Sequence, residues 1–123
     1  MRQALFDYTA ENINVKTPEE AIAYLVDLIM KSKAVVNKAK LIEDILKRES
    51  VSSTAIDNKL ALPHAKSDAV TDIITAIITL KKPIEFDTKK HTTANVVVLV
   101  VAPKTMAKEF LKKLSAMLAL FKS

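Results

Sequence analysis

The chain has 123 residues, half of them apolar, and a net charge of +5, which suits one compact domain with a substantial core. It contains no glycine and no cysteine, which excludes glycine-rich nucleotide loops, disulfides, thiol nucleophiles and cysteine-based metal sites. With only two histidines, we also expect no metal centre and no bound cofactor.

The first part of the chain predicts one strand followed by two helices. Ala4–Tyr8 is typical of a short first strand. Thr17 is the predicted N-cap of the first helix, since Pro18 follows it and Glu20 completes a capping box. Asn37 is the predicted N-cap of the second helix.

The middle of the chain predicts a hairpin just before a histidine. Ala55–Ile56 and Leu60–Leu62 are typical of short strands around a turn at Asp57–Asn58, where Asn58 suits a positive φ in a chain without glycine. Pro63 and His64 follow directly.

Four further segments are predicted before the strongest strand of the chain. Ile73–Leu80 is a buried strand, and the segment from Lys81 to Pro83 is expected to end it. Ile84–Phe86 is then a short edge strand, and Asp87–Asn95 is a polar loop.

The end of the chain sets the expected architecture. Val96–Val101 is almost continuously β-branched, which predicts burial on both faces of a sheet, and Thr105 is the predicted cap of a last helix. The order β-α-α-β(several)-α therefore predicts a single α/β domain over residues 1–123, a three-layer α/β/α sandwich with a mixed central sheet. The longest apolar run, Val96–Pro103, is too short to span a membrane, and no signal peptide is recognisable, so we expect a soluble cytoplasmic protein.

His64 is the leading candidate for chemistry. Pro63 stiffens the backbone that enters it, and the polar residues after it place it where a strand is expected to end, the usual position of ligands in α/β sheets. Its ordinary pKa near 6.5 would allow nucleophilic or acid–base work. A lone loop histidine is more often inert, and His91, in a lysine-rich loop, is expected to be inert.

The residues around His64 resemble a known family. The run Ser53–Val70 is similar to the family pattern S-T-G-I-G-x-G-I-A-[IL]-P-H-[GA]-[KR]-S-x-A-V of the enzyme IIA proteins of the phosphoenolpyruvate:sugar phosphotransferase system, fructose/mannitol type. Leu80–Phe86, Val96–Pro103 and Phe110–Ser115 resemble later motifs of the same family, so the resemblance spans nearly the whole chain.

The resemblance implies a phosphoryl carrier. His64 would accept a phosphoryl group from the phosphocarrier protein HPr and pass it to an enzyme IIB domain of a sugar permease. A backbone carbonyl would orient the ring through its other nitrogen. Arg48, in a segment close to the family's R-E-x-x-S-T pattern, would clamp phosphate oxygens, although it also suits the end of a helix. Lys66 would add positive potential, although lysines are common on surfaces.

The sequence departs from the family pattern in three ways. Asp57, Lys59 and Ala65 replace family glycines around the site. Phe110 stands where the family has a second histidine, so either Arg48 and backbone donors suffice or transfer is impaired. The family's last C-terminal helix or helices are lacking, which would expose apolar surface and favour a homodimer.

Two other functions stay open at this point. A regulatory enzyme IIA-like protein of the nitrogen-related type would act by phosphorylation-dependent protein binding, which the departures at Phe110 and the glycines keep plausible. A nucleic-acid-binding module would use the net positive charge, but the lysines are dispersed and only six residues are aromatic (four Phe and two Tyr). The chain could also be an inactive descendant of the carrier family or a redesigned scaffold, which would have neither function.

Overall fold

A computed structural model describes residues 5–56 and 59–121 of the chain. Three helices and six strands follow one another in these ranges. In chain order they are β1 (Tyr8–Ile13), α1 (Pro18–Ile29), α2 (Lys38–Val51), β2 (Ala55–Ile56), β3 (Leu60–Ala61), β4 (His64–Lys66), β5 (Ile74–Asp87), β6 (Thr92–Ala102) and α3 (Ala107–Phe121), with a 3-10 turn at Lys104–Met106 before α3. The predicted turn at Asp57–Asn58 lies outside the described residues.

The six strands form one mixed sheet in the order β1-β5-β6-β3-β2, with β4 also paired to β6. The β5–β6 and β2–β3 pairs are antiparallel, whereas β1 runs parallel to β5 and both β3 and β4 run parallel to β6. Because Leu60 pairs with Val96 and His64 with Val100, β3 and β4 lie one after the other along the same edge of β6.

Strand β6 confirms the prediction of burial on both faces. Its side chains alternate between two apolar clusters. Val97, Leu99 and Val101 pack into the cluster that contains the buried faces of α1 and α2, whereas Val98, Val100 and Ala102 pack into the cluster that contains Phe110 and Met117 of α3. The sheet therefore lies between two helical layers, which is the predicted three-layer α/β/α arrangement with a mixed sheet.

The predicted N-caps of the first two helices are present. The amide of Glu20 donates to Oγ1 of Thr17 at 3.1 Å, and the amide of Lys40 donates to Oδ1 of Asn37 at 3.1 Å. The reciprocal half of the capping box differs, because the carboxylate of Glu20 accepts the amide of Lys16 instead of that of Thr17. The first helix is thus anchored one residue earlier than the pattern predicts.

The first strand begins later than predicted. It covers Tyr8–Ile13 instead of Ala4–Tyr8, and Ala4 lies outside the described residues. Asp7 accounts for the late start, since its carboxylate accepts the amide of Thr75 at 2.8 Å and its own amide bonds to the same residue. These local bonds bring the chain to β5 just before the regular pairing starts at Tyr8.

The predicted break at Lys81–Pro83 is wrong. Strand β5 continues through it for 14 residues, and its register against β6 shifts between Thr79 and Ile84. A bulge of this kind accommodates a proline, which has no amide hydrogen for the ladder. The predicted loop Asp87–Asn95 shrinks accordingly to a short hairpin turn before Thr92.

Two smaller features complete the fold. Thr105 does not cap α3, because the 3-10 turn Lys104–Met106 intervenes and is closed by the amide of Met106 donating to the carbonyl of Pro103 at 3.0 Å. In the described ranges, positive φ angles occur at Asn12 and His91, two residue types that tolerate this conformation better than most. No helix in these ranges is long and apolar enough to cross a membrane.

Candidate functional site

His64 is the first residue of β4, the short strand that pairs with the central strand β6. It pairs with Val100 of β6, and the amide of Val100 donates to the carbonyl of Pro63 at 3.2 Å. The expectation that a strand ends at His64 is therefore wrong, because parallel pairing with β6 starts a new strand there. The pairing fixes the backbone around the histidine.

The imidazole of His64 is oriented by its own backbone. Its Nδ1 lies 2.7 Å from the carbonyl oxygen of Leu62, so Nδ1–H donates and Nε2 keeps its lone pair for a reacting group. This contact is the backbone carbonyl that the resemblance implied. A neutral imidazole in this tautomer is a nucleophile at Nε2.

The surroundings of His64 favour that neutral form. Burial lowers the pKa of the imidazole below its ordinary 6.5, and the positive charge of Arg48 lowers it further. The hydrogen bond to Leu62 and the negative charge of Glu49 act in the opposite direction but do not cancel the effect. At neutral pH the ring is thus predominantly uncharged and able to attack.

Arg48 lies in the last turn of α2, close enough to His64 to influence its pKa. Its Nη1 donates to the carbonyl of Ser52 at 3.0 Å, which is the helix-end role that the sequence also allowed. A guanidinium has five N–H donors, so this bond leaves others for an anion. Arg48 can therefore bond to the backbone at the end of α2 and still donate hydrogen bonds to an anion at His64.

Glu49 has a role that sequence reasoning missed. Its two carboxylate oxygens accept the amide of Thr54 at 2.8 Å and the hydroxyl of Thr54 at 2.9 Å. The carbonyl of Thr54 then accepts the amide of Leu62 at 3.3 Å. The available signal was the R-E-x-x-S-T pattern, because in this chain it places a carboxylate five residues before the threonine.

Ser67 and Asp44 form a second anchor that sequence reasoning missed. Ser67 is completely buried, and its hydroxyl donates to Oδ2 of Asp44 at 2.6 Å. Burial by itself would raise the pKa of Asp44, but the hydrogen bond from Ser67 and the hydrogen bond and charge of Lys40 outweigh it, so the pKa falls below 3.8. This bond connects the residue after β4 to α2, and no local sequence pattern predicts it.

Phe110, which stands where the family has a second histidine, lies against His64. The two ring centroids are 5.9 Å apart and the planes are tilted by 48°, a normal geometry for aromatic neighbours. Phe110 is only 5% exposed. Its hydrocarbon ring can neither donate to a phosphoryl oxygen nor bond to Nε2.

Lys66 and His91 are less closely connected to the site. Lys66 is exposed at the end of β4, where it pairs with Ala102 of β6. His91 lies in the β5–β6 hairpin with its Nδ1 3.0 Å from Oε2 of Glu85. Nine residue steps, roughly 30 Å of extended strand, separate His91 from Val100, the residue of β6 that pairs with His64.

A separate groove of about 840 Å³ lies between the start of α1, the end of α2 and the β5–β6 hairpin. Glu49, Ser53 and Lys90 are among its lining residues, whereas His64 is not. Within the described ranges no cluster of three or more histidine and acidic side chains could hold a metal ion.

Comparison with known families gives one match over almost the whole chain. The family model described as "Phosphoenolpyruvate-dependent sugar phosphotransferase system, EIIA 2" matches residues 7–123. Among individual proteins, the fructose-specific EIIA component of the phosphotransferase system from Haloferax volcanii is 29% identical over 101 residues. That alignment covers 82% of this chain and 66% of the relative, so the chain spans about two thirds of its length.

Solved structures show the same fold. The nitrogen regulatory protein of Neisseria meningitidis superposes with a TM-score of 0.78 at 20% identity, over 91% of this chain and 75% of that one. The Escherichia coli mannitol enzyme IIA, solved in complex with phosphorylated mannitol enzyme IIB, superposes with a TM-score of 0.72 at 18% identity, over 90% and 78% of the two chains.

Proposed function

The chain belongs to the EIIA 2 family of the phosphoenolpyruvate-dependent sugar phosphotransferase system, and from that premise we propose that it carries phosphoryl groups on His64. The observation that carries the proposal is the 2.7 Å contact between Nδ1 of His64 and the carbonyl of Leu62. It keeps the proton on Nδ1 and leaves Nε2 as the nucleophile. The whole chain, residues 1–123, acts as one carrier domain in this proposal.

The proposed step is a transfer between two imidazoles. The lone pair of Nε2 of His64 attacks the phosphorus of a protonated phosphohistidine on the donor. The P–N bond to the donor breaks, its electron pair stays on the donor nitrogen, and a P–Nε2 bond forms. Nδ1 of His64 keeps its proton, which stays hydrogen-bonded to the carbonyl oxygen of Leu62. The positive charge therefore passes from the donor ring to the ring of His64, where the carbonyl stabilises it. Positioning and charge stabilisation then carry most of the catalysis.

Arg48 and Lys66 are the proposed phosphate-binding residues. Arg48 is favoured because it already acts electrostatically on His64 and has N–H donors beyond the one bound to Ser52. Lys66 is two residues beyond His64 in the same strand, so the pleat carries both side chains to the same face. Both cations would neutralise charge on the phosphoryl oxygens.

The proposed partners are HPr as the phosphoryl donor and an EIIB domain as the acceptor. The solved complex of the mannitol enzyme IIA with its enzyme IIB supports the second partner by likeness of fold. The fructose-specific relative supports sugar uptake as the purpose, with fructose or mannitol as the first sugars to try. A chain without cysteine is compatible with the reducing cytoplasm, where we propose that the exchange takes place.

The proposal is tested by incubating the chain with phosphoenolpyruvate, enzyme I and HPr and measuring its intact mass. We expect one acid-labile phosphoryl group on the parent chain and on His91→Ala, the matched histidine control, and none on His64→Ala. An unphosphorylated parent chain would rule out the carrier. Phosphate retained by His64→Ala would rule out His64.

A regulatory role is the second candidate. The fold of the nitrogen regulatory protein and the hydrocarbon side chain of Phe110 beside His64 both favour it. A regulator would be phosphorylated on His64 but would not discharge to an EIIB domain. Mixing the phosphorylated chain with EIIB domains of the fructose and mannitol permeases separates the two functions, since only the carrier loses its phosphoryl group to one of them.

A further inference from the structure

The contact between Phe110 and His64 is built into the core of the fold. Phe110 belongs to the same buried cluster as Val100, and Val100 is the residue of β6 that pairs with His64. The ring therefore reaches the imidazole from the α3 side of the sheet, whereas Arg48 belongs to α2 on the other side. A buried side chain so held cannot easily turn away.

We propose that Phe110 is a positioning residue for the reaction of His64, because it holds the imidazole with Nδ1 on Leu62 and Nε2 directed to the incoming phosphoryl group. The inference rests on the proposed function and adds to it the means by which the nucleophile is oriented.

One hydrogen bond alone would hold the ring weakly. A half-turn about the bond from Cβ to the ring exchanges the two edges of the imidazole and presents a carbon to Leu62 instead of Nδ1–H. A neighbouring aromatic ring whose centroid is 5.9 Å away opposes that turn, because the imidazole would have to swing out of its present plane into the space that Phe110 fills. The bond to Leu62 and the contact with Phe110 together define both the position and the plane of the ring.

The hydrocarbon character of Phe110 has a second consequence. A polar side chain with a hydrogen to donate could bond to Nε2 from this place and would then compete with the phosphoryl group for its lone pair. Phe110 has no such donor, and its buried hydrocarbon ring packs beside the imidazole with the centroids 5.9 Å apart. The charged groups that act on the ring both come from α2, where Arg48 lowers the pKa and Glu49 raises it. Burial remains the largest cause of the lowered pKa.

The test compares two leucine variants on the same helix. Phe110→Leu removes the aromatic ring but keeps an apolar side chain, and Met117→Leu changes another buried residue of α3 in the same cluster. Phe110→Met is a second variant at residue 110, which takes the place of Phe110→Leu if the leucine variant does not fold. Nitrogen-15 NMR of the imidazole gives the tautomer and the pKa of His64, and single-turnover transfer from phosphorylated HPr gives the rate and its pH profile.

We expect both Phe110 variants to populate a second tautomer, to raise the pKa of His64 and to move the acid limb of the rate profile to higher pH. The transfer rate should fall roughly tenfold, because misorientation of a nucleophile costs rate directly. Met117→Leu should leave all four quantities unchanged. The inference is overturned if the Phe110 variants keep the tautomer and the pH profile of the parent, or if Met117→Leu changes them equally. If HPr does not phosphorylate the parent chain, the proposed function fails, and the NMR comparison still decides whether Phe110 positions the ring.

Discussion

Glu49 holds Thr54 at two points, with one carboxylate oxygen on its amide at 2.8 Å and the other on its hydroxyl at 2.9 Å. Thr54 accepts the amide of Leu62, and the carbonyl of Leu62 accepts Nδ1–H of His64. A continuous series of hydrogen bonds therefore runs from the last turn of α2 to the proposed nucleophile. The orientation of the ring depends on a carboxylate that never touches it.

Glu49→Gln should loosen this series. An amide has one acceptor oxygen in place of two, so one of the two bonds to Thr54 is lost or weakened. We expect a loss of about 1–3 kcal/mol in the free energy of unfolding, measured by urea denaturation, and slower phosphorylation of His64. Glu43→Gln, an exposed position on the same helix, is the matched control and should change neither. Equal effects from both substitutions would contradict the specific role of Glu49.

Arg48→Ala should reduce transfer while leaving the fold intact. If Arg48 binds the phosphoryl oxygens, its loss should slow phosphorylation by roughly a hundredfold, the usual effect of removing a positioned donor from a developing anion. Removing its positive charge should also raise the pKa of His64. Lys47→Ala removes an exposed neighbouring cation of the same helix and should leave the rate near that of the parent. An unchanged rate in Arg48→Ala would exclude Arg48 from the site.

The stability of the chain should depend on the protonation of His64. Burial lowers its folded pKa below 6.5, so the unfolded chain binds the proton more readily. The stabilisation is therefore complete above pH 6.5 and is lost as the pH falls from 6.5 through the folded pKa. Urea denaturation between pH 5 and pH 8 should show this loss in the parent and in His91→Gln. His64→Gln should show a flatter dependence, and an identical slope in all three proteins would contradict the assignment.

Ser67→Ala should destabilise the end of β4. The substitution removes the hydroxyl that donates to Asp44 at 2.6 Å and leaves a partly buried carboxylate with one donor fewer. The expected loss is about 1–3 kcal/mol in the free energy of unfolding. The pKa of Asp44 should rise toward its ordinary value as well, so the variant should lose less stability than the parent when this carboxyl is protonated on acidification. Ser115→Ala, at an exposed position of α3, is the control. If its urea-denaturation midpoint is as low as that of Ser67→Ala, the prediction is contradicted.

Much of the local structure follows from short stretches of sequence. Thr17 and Asn37 cap α1 and α2 as predicted. The cap depends only on nearby sequence, because the side-chain oxygen accepts a free amide three residues later. Strand β6 is buried on both faces, as its β-branched run predicts. The path of β5 through Pro83 could not be predicted in this way, since the long partner β6 keeps both sides of the bulge paired.

The sequence by itself determined the starts of the first two helices, the central strand and the histidine whose chemistry the family resemblance points to. The absence of glycine also ruled out a glycine-rich phosphate loop from composition alone. The tertiary structure alone decided which distant residues surround that histidine. Phe110 reaches His64 because α3 packs on β6 and β4 pairs with the same strand, and Asp44 reaches Ser67 across 23 positions of the chain. Short-range preferences act over a few residues, whereas these contacts depend on the register of β4 against β6, which is set by the packing of the whole sheet.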